Sequence, residues 1–442
     1  MMLKEYVKGL VSGKKVLILG FGREGRSTYR LLKEAGGFAE IAVADEKGAS
    51  DIPERVFSDA DYMKAAENYD IVFKSPGVVL GDFAEREKII SQTDVMLGCC
   101  RDRIIGITGT KGKSTTTTLI YHVLECCGKN PVLMGNIGIP AFDAAEKIGS
   151  DNMIVYELSC HQLEYSFESP HIGVLLNIYP EHLDHYGSFE KYRAAKENIY
   201  KNMKKNDFLV CGSDVRPVCC PAEIFTVTLS DDGADCRADG SGAVFNDGRI
   251  EFSRYTDALF GVHSMYNISA AYAVCSRLGI GGADFLAALR SFKALSHRLE
   301  FFAEIDGVKY FDDSISTIPE TAVQALKSIK NAQTLILGGM DRGVSQKPLI
   351  DYLLEHPIKR AILMPDTGKA IYDALAGKFT GELYMTDGLA EAARLAKEKT
   401  CSGEACVLSP AAASYGFFKN FEERGNAFKK YISGVKNLAE FV

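Results

Sequence analysis

The sequence lacks several features that would place it in a specialised class of protein. No apolar run approaches the ~20 residues of a transmembrane helix, and the N-terminal stretch lacks the apolar core of a signal peptide. Its 12 cysteines form no C-x-x-C pair, so neither a zinc site nor a disulfide framework is indicated. The net charge of −7 argues against a nucleic-acid-binding surface. These absences predict a cytoplasmic protein with reduced thiols that binds neither membrane nor nucleic acid.

What is present is a regular alternation of strand and helix patterns along 442 residues. That length exceeds one ordinary core, and the predicted fold class is α/β with three domains. A Rossmann-like domain is predicted over residues 1–94, a central P-loop ATPase-like domain with a mostly parallel sheet over 95–294, and a Rossmann-like α/β domain over 295–442. The stretch "SFKALSHRLEFF" is interpreted as the linker into the third domain.

A glycine fingerprint follows the first predicted strand. Gly20, Gly22 and Gly25 have the G-x-G-x-x-G spacing, and Asp45 follows the next strand, twenty residues after Gly25. This pattern is typical of a diphosphate bound at a helix N-terminus, with the acid near a ribose hydroxyl. It fits an NAD-dependent oxidoreductase, a UDP-sugar site, or glycines that only allow close packing of strand and helix.

A second loop, "GITGTKGKS", resembles a phosphate-binding loop whose first glycine is displaced. Ile107 stands where the usual G-x-x-x-x-G-K-[ST] pattern has its first glycine, whereas Gly112-Lys113-Ser114 is intact. Backbone N–H groups at the following helix start would hold anionic oxygens, and Lys113 would add a positive charge. Ser114 or Thr115 could then bind magnesium, which predicts a nucleotide site.

Magnesium usually also needs a carboxylate, and Glu157 ends the strand "NMIVYELS" where such an acid belongs. Glu181 and His182 come together in the segment "EHLDHY" after another strand, where histidine is more often structural than a ligand. Lys196 lies in a predicted helix, and a solvated surface cation is the default interpretation for it.

Several motifs in this order resemble the Mur ligase family, the ATP-dependent muramyl peptide ligases of cell-wall synthesis. The resemblance spans essentially the whole chain. Its motifs are "GITGTKGKSTT", "GNIG", "ELSCHQLE", "EHLDHY", "YRAAKENIY", "HSMYN", "SHRLE", "DDS" and "LSPAAASYGFFKNFEERGNAF". The pattern is most similar to the members that add D-glutamate to UDP-N-acetylmuramoyl-L-alanine.

The resemblance implies a reaction and its cofactors. ATP would phosphorylate the carboxylate of UDP-N-acetylmuramoyl-L-alanine to an acyl phosphate, and the amine of D-glutamate would attack it to give amide, ADP and phosphate. Two Mg²⁺ ions would screen the crowded negative charges. CO₂ would carbamylate Lys196, which turns a cation into an oxygen ligand. The protein would act as a monomer in the cytoplasm.

The resemblance also implies roles for individual residues. It assigns ATP binding to Gly109, Thr110, Lys111, Gly112, Lys113, Ser114, Thr115, Asn267, Arg298 and Asp313. It assigns catalysis to Lys113, His182 and Lys196. It assigns the magnesium ligands to Ser114, Glu157, His182 and Lys196. It assigns the UDP-linked substrate to Gly22, Arg23, Glu24, Gly25, Asp45, Ser75, Pro76, Gly77 and Asn136. It assigns the incoming amino acid to Thr317, Arg342, Ser414 and Phe421.

The chain departs from the family pattern near the amino-acid site. Ile315 stands where the family often has a lysine after Asp313-Ser314, and Arg342 stands where a lysine often follows the "LGG" turn. Arginine can hold a carboxylate through two hydrogen bonds. The alternatives are a sibling ligase for another amino acid, a folylpolyglutamate-synthase-like enzyme, an NAD-dependent oxidoreductase, and a non-catalytic ATP-binding module.

Overall fold

The fold is taken from a computed structural model, which describes residues 2–58, 62–80, 85–136, 139–230, 233–256, 259, 261–293, 296–341 and 343–434. The chain forms two compact units that divide between Phe292 and Lys293. The first unit holds two sheets and the second unit holds one. In this described part of the chain, no helix is long and apolar enough to cross a membrane.

The first sheet is parallel and has the strand order β3-β2-β1-β4-β5. Its strands are β1 Lys15–Leu19, β2 Glu40–Ala44, β3 Arg55–Phe57, β4 Ile71–Lys74 and β5 Ile89–Ile90, and its helices are α1 Met2–Val11, α2 Arg23–Ala35 and α3 Gln92–Cys100. The chain runs outward from β1 through β2 to β3 and then crosses back to β4. In open α/β sheets, ligands bind beyond the carboxyl ends of the strands at such a reversal. The glycine fingerprint follows β1 at this point.

The second sheet has nine strands in the order β14-β13-β12-β11-β10-β9-β6-β8-β7. These are β6 Ile104–Thr108, β7 Val132–Gly135, β8 Ile154–Glu157, β9 Ile172–Leu175, β10 Phe208–Gly212, β11 Glu223–Thr228, β12 Cys236–Ala238, β13 Ala243–Phe245 and β14 Gly248–Ile250. Pairing is parallel from β7 to β12, and β12, β13 and β14 pair antiparallel.

The helices around this sheet are α4 Lys113–Cys126, α5 Cys160–Leu163, α6 Leu183–Tyr186, α7 Phe189–Lys201, α8 Val262–Arg277 and α9 Gly282–Ser291. Strand β6 lies between β8 and β9, and all five of its residues are buried. The side chains of Ile105 and Ile107 belong to a core that includes Leu119 of α4 and Ile268 of α8. The phosphate loop therefore leaves a rigid central strand.

The third sheet, in the second unit, has the order β15-β16-β20-β17-β18-β19. Its strands are β15 Glu300–Ile305, β16 Val308–Asp312, β17 Ala332–Gly339, β18 Arg360–Asp366, β19 Glu382–Met385 and β20 Ala405–Leu408. Its helices are α10 Pro319–Ser328, α11 Lys347–Glu355, α12 Thr367–Leu375, α13 Leu389–Lys399 and α14 Phe421–Ser433. Only β15 runs antiparallel to its neighbour among the described strands of this sheet.

The prediction of an α/β fold with mostly parallel sheets is confirmed. The linker prediction is wrong at its C-terminal end, because Glu300, Phe301 and Phe302 belong to β15. This strand pairs with β16 at the edge of the sheet, and its residues are all half-buried or exposed without a regular alternation, so its sequence resembles an irregular segment. The domain boundaries at residues 94 and 294 stay predictions.

Candidate active site

The phosphate loop connects β6 to α4 through residues 109–112. Gly112 has a φ of 88°, which favours glycine. A Cβ at Gly112 would lie 2.4 Å from Oδ1 of Asn267 on α8. Gly112 therefore allows the loop and Asn267, both predicted to contact ATP, to approach each other closely.

Hydrogen bonds that the loop donates to the segment after β9 fix the loop in place. The N–H of Thr110 donates to the carbonyl of Asn177 at 2.9 Å, and the N–H of Lys111 donates to Asn177 Oδ1 at 2.8 Å. The Thr110 hydroxyl also lies 2.8 Å from the hydroxyl of Tyr192 on α7. The loop is thus preorganised by Asn177 and Tyr192, which sequence reasoning did not single out. Asn177 could have been found from its position directly after a buried strand.

Lys113 is the first residue of α4, and its side chain reaches back to the loop. Its ammonium group donates to the carbonyl oxygens of Gly109 and Thr110 at 2.9 and 3.0 Å. Ser114 and Thr115 follow in the first turn of α4, whose N-terminus carries partial positive charge. Together these groups concentrate positive potential at one point, which suits a bound polyphosphate.

Glu157 ends β8, which pairs with β6 so that Glu157 lies opposite Ile107. Its side chain is completely buried. Oε1 accepts a hydrogen bond from Nδ2 of Asn136 at 2.7 Å, whereas Oε2 has no hydrogen-bond partner among the described residues. A buried carboxylate oxygen without a donor is costly. This oxygen therefore fits a bound cation, as the sequence predicted for Glu157.

Lys196 on α7 is almost completely buried, at 1% exposure. The default interpretation of a solvated surface cation is therefore wrong, because α7 turns this face onto the phosphate loop. Its Nζ donates to the carbonyl of Gly109 at 2.8 Å. Burial, reinforced by the charge of Lys113, lowers the pKa of Lys196 to about 7. A substantial fraction of this amine is consequently neutral near neutral pH.

His182 directly precedes α6 as its N-cap residue and lies in the left-handed backbone region, with a φ of 55°. Its Nε2 lies 3.9 Å from Oε2 of Glu181, and its ring centroid lies 5.0 Å from that of His161. Glu181 in turn pairs with Lys111 of the phosphate loop at 2.7 Å. The predicted catalytic residues on the loop, on α7 and before α6 therefore belong to one neighbourhood of the first unit.

The glycine fingerprint brings the end of β1 and the start of α2 into close contact at Gly25. A Cβ at Gly25 would lie 2.0 Å from the carbonyl oxygen of Gly20, so this position must stay glycine for packing. Gly22 faces open space, since a Cβ added there would meet no atom within 4 Å. Packing therefore explains Gly25, whereas Gly22 leaves room for a ligand beside the start of α2. Ser75, after β4, closes this site by donating to the Gly20 carbonyl at 2.7 Å.

The other residues predicted for the UDP-linked substrate lie around this point. Asp45 accepts hydrogen bonds from the N–H groups of Phe21 and Lys47, at 2.6 and 2.8 Å. Glu24 accepts from Nε2 of Gln162 at 2.8 Å, and burial raises the pKa of Glu24. Arg23 and Gly77 are exposed, and Pro76 is half-buried in the turn after β4. Asn136, however, lies at the end of β7, beside Glu157.

In the second unit, Asp313 follows β16 and is buried. It accepts hydrogen bonds from the N–H of Leu299 at 3.1 Å and the hydroxyl of Ser409 at 2.7 Å. Burial raises the pKa of Asp313 to about 6, although these hydrogen bonds and Arg298 oppose the change. Because Arg298 and Asp313 belong to the second unit, their contact with ATP stays a prediction.

A cavity of about 450 Å³ opens at the carboxyl ends of β17, β18 and β19, and Ser414 lines it. Thr317 and Phe421 are half-buried and lie outside this lining, and Arg342 lies outside the described residues. Arg424, a lining residue that sequence reasoning missed, donates to the carbonyls of Ser314 and Ala412 at 2.8 and 3.0 Å. It ties the Asp313-Ser314 segment to the segment that carries Ser414.

Comparison with known proteins identifies the fold and the family. Residues 107–275 match the Mur ligase middle domain. Two solved structures from Thermotoga maritima share the fold. They are the MurF ligase in complex with ADP (TM-score 0.61, 17% identity, covering 98% of this chain and 99% of that one) and the UDP-N-acetylmuramate–alanine ligase (TM-score 0.59, 20% identity, 96% and 100%). The fold is therefore that of the Mur ligases.

Curated relatives narrow the assignment within that class. The chain is 34% identical to the UDP-N-acetylmuramoylalanine–D-glutamate ligase of Pelotomaculum thermopropionicum, covering 98% of this chain and 100% of the relative. The enzymes of that name from Symbiobacterium thermophilum and Listeria monocytogenes are each 32% identical, covering 97% of this chain and 99% and 98% of theirs. The chain belongs to this D-glutamate ligase family of Mur ligases.

Proposed function

We propose that the protein catalyses the ATP-dependent joining of D-glutamate to UDP-N-acetylmuramoyl-L-alanine, a step in peptidoglycan precursor synthesis. The full-length relatives are ligases of that name. The observation that carries the chemical proposal is that Lys113 and Lys196 meet at the carbonyl of Gly109, while the buried Glu157 ends the strand beside the one that leads into the loop. An acyl phosphate is the intermediate, because the substrate carboxylate must be activated before an amine can attack it.

The chain's own groups account for the phosphate chemistry. The N–H groups of residues 109–115 hold the ATP phosphates, and the ammonium of Lys113 turns from the loop carbonyls to the transferring phosphoryl group. Asn267, beside Gly112, contacts the nucleotide from α8. Because Thr110 and Lys111 are already fixed by Asn177, little reorganisation accompanies binding.

The buried carboxylate of Glu157 supports the binding of Mg²⁺, since no hydrogen bond from the described residues engages the lone pairs of Oε2 and a hard cation prefers such oxygen donors. Ser114, Glu157, His182 and a carbamylated Lys196 are the proposed ligands of two ions. When bound, Mg²⁺ offsets the negative charge of the phosphates and the substrate carboxylate. The neutral amine of Lys196 forms the carbamate by attacking CO₂ and releasing one proton.

The glycine fingerprint after β1 is proposed to bind the uridine diphosphate. Gly22 leaves open space at the start of α2, and α2 is long enough to present its N-terminus to an anion. Asp45 and the turn Ser75-Pro76-Gly77 flank this space, and Asn136 serves the muramyl part of the substrate. The incoming amino acid is assigned to Thr317, Arg342, Ser414 and Phe421. We also propose that the protein acts as a monomer in the cytoplasm on small molecules alone.

Phosphate release from ATP tests the proposal directly. The purified protein is given UDP-N-acetylmuramoyl-L-alanine and Mg²⁺, with D-glutamate, L-glutamate, L-lysine, L-serine or no amino acid. We expect release that depends on D-glutamate, together with an amide product identified by mass. Phosphate release that depends on another amino acid would indicate a Mur ligase with a different amino-acid substrate. ATP binding without any phosphate release would favour a non-catalytic ATP-binding module. An NADH titration that shows binding would favour the oxidoreductase alternative.

A further inference from the structure

We propose that His161, Glu164 and His185 form a binding site for a transition-metal ion such as Zn²⁺, separate from the Mg²⁺ ligands. His161 lies in α5 and Glu164 directly follows that helix, so the two side chains share one helical face. His185 lies in α6. One donor atom from each of the three residues lies within 4.8 Å of the other two.

The spacing of these donors suits a small ion. A tetrahedral zinc ion with bonds of about 2.0–2.2 Å separates its ligand atoms by roughly 3.4 Å. Nε2 of His185 already lies 3.2 Å from Oε2 of Glu164, and the rings of His161 and His185 have centroids 4.3 Å apart. Small side-chain rotations would bring the donor atom of His161 to a similar distance from the other two donor atoms. Imidazole nitrogens select zinc, copper or nickel over magnesium.

The surroundings hold these side chains in position. The side chains of His185 and Glu164 are only 11% and 16% exposed. The hydroxyl of Tyr186 lies 3.3 Å from Nδ1 of His161, which orients that ring in the way that outer partners orient metal-bound histidines. Asn198 of α7 donates to the carbonyl of Glu164 at 3.2 Å and so fixes the end of α5. The donors are therefore preorganised.

One lysine lies beside this cluster without a hydrogen bond to it. Nζ of Lys74 forms a buried ion pair with Oε2 of Glu164 at 3.8 Å, which is beyond hydrogen-bond distance. A comparable cluster in the second unit, His297, Glu300 and Asp312, is different. There Lys429 donates a hydrogen bond to Glu300 at 2.6 Å and lies 3.6 Å from Asp312, so a lysine is bonded directly within that cluster. The cluster on α5 and α6 is the better candidate.

A second donor set overlaps this site, because Cys160, His161 and His182 also lie within reach of a single ion. The two sets share His161 and so exclude each other at that residue. A thiolate bound to Co²⁺ gives a charge-transfer absorption band. A site of two imidazoles and one carboxylate does not give this band. The two arrangements can therefore be told apart by experiment.

The test consists of two titrations of the full-length protein. Co²⁺ is titrated as a spectroscopic probe, and Zn²⁺ is titrated separately in a calorimeter. Both titrations are done in excess Mg²⁺ and in the absence of ATP. We expect binding of a single equivalent, a visible spectrum of tetrahedral Co²⁺ without a thiolate charge-transfer band, and a raised melting temperature with Zn²⁺. His161→Gln, Glu164→Gln and His185→Gln should each weaken binding about tenfold or more. His356→Gln, at an exposed histidine of the second unit, is the matched control and should bind as the wild type does.

Circular dichroism of each variant checks that it is folded, and three separate ligand variants keep the test valid if one of them fails to fold. The proposal is overturned if the folded wild type does not bind Co²⁺ or Zn²⁺ in excess Mg²⁺. It is also overturned if His185→Gln and Glu164→Gln bind as tightly as His356→Gln does. A thiolate band that disappears in Cys160→Ser would overturn it in favour of the overlapping donor set.

Discussion

The ammonium groups of Lys113 and Lys196 both donate to the carbonyl oxygen of Gly109, at 2.9 and 2.8 Å. Two cations that share one acceptor repel each other, and the one that is more deeply buried loses its proton more easily. Lys196 is the more deeply buried of the two, and its pKa falls to about 7. The phosphate loop thus places a charged lysine and a reactive amine on the same backbone atom.

Lys196→Gln should abolish ligase activity, with a loss of at least about 100-fold, because it removes the amine that we propose is carbamylated. Lys201→Gln on the same helix is the matched control, since Lys201 is exposed and should leave the rate unchanged. Mass spectrometry or NMR with isotopically labelled bicarbonate should detect a carbamate in the wild type and in Lys201→Gln. Full activity of Lys196→Gln would contradict this role.

Glu157→Gln should raise the Mg²⁺ concentration needed for half-maximal ATP turnover by on the order of 100-fold. The amide keeps the shape of the side chain but removes the negative charge of the carboxylate. In the wild type, Oε2 of that carboxylate has no hydrogen-bond partner among the described residues. Glu125→Gln, at an exposed position of α4, should leave the Mg²⁺ dependence unchanged. The measurement is the rate of phosphate release across a Mg²⁺ titration. An unaltered titration curve for Glu157→Gln would remove Glu157 from the ligand set.

Gly112→Ala should weaken ATP binding more than Gly128→Ala does. Both glycines have positive φ, 88° and 69°, so both variants carry a similar backbone cost of about 1 kcal/mol. Only at Gly112 would the new Cβ meet another residue, 2.4 Å from Asn267 Oδ1, whereas Gly128 faces open space. Calorimetric titration with ATP and thermal melting separate affinity from stability. Equal ATP affinities would show that Asn267 does not contribute to the nucleotide site.

Asp313→Asn should change how the stability of the protein depends on pH. The pKa of Asp313 is about 6 in the folded state, against an ordinary value of 3.8. Between these values the folded chain holds a proton that the unfolded chain releases, so the stabilising contribution of Asp313 falls as the pH rises from about 4 to about 6. The asparagine variant lacks this loss. Its melting temperature, relative to the wild type, should therefore increase with pH.

The matched control is Asp351→Asn, at an exposed carboxylate on α11 of the same unit. Its melting temperature should follow that of the wild type across the same pH range. If the difference between Asp313→Asn and the wild type stays constant from about pH 4 to about pH 7, then burial does not raise the pKa of Asp313.

Much of the candidate site could be predicted because its signals are local. The displaced phosphate loop lies between a buried strand and a helix, and Glu157 ends β8 as its apolar run indicated. Strand β15 was missed because an edge strand with mixed exposure lacks a clear alternation of apolar and polar residues. Asn177 and Tyr192 were missed because their hydrogen bonds reach the loop from distant parts of the chain.

The sequence by itself determined the fold class, the order of the motifs, and the residue types available for phosphate and metal chemistry. These properties follow from spacing and periodicity over short stretches. Only the tertiary structure decided that Lys196 is buried against Gly109, that Glu157 retains an oxygen without a partner among the described residues, and that His161, Glu164 and His185 meet. Burial and donor distances depend on how separate elements pack, and no local pattern encodes them.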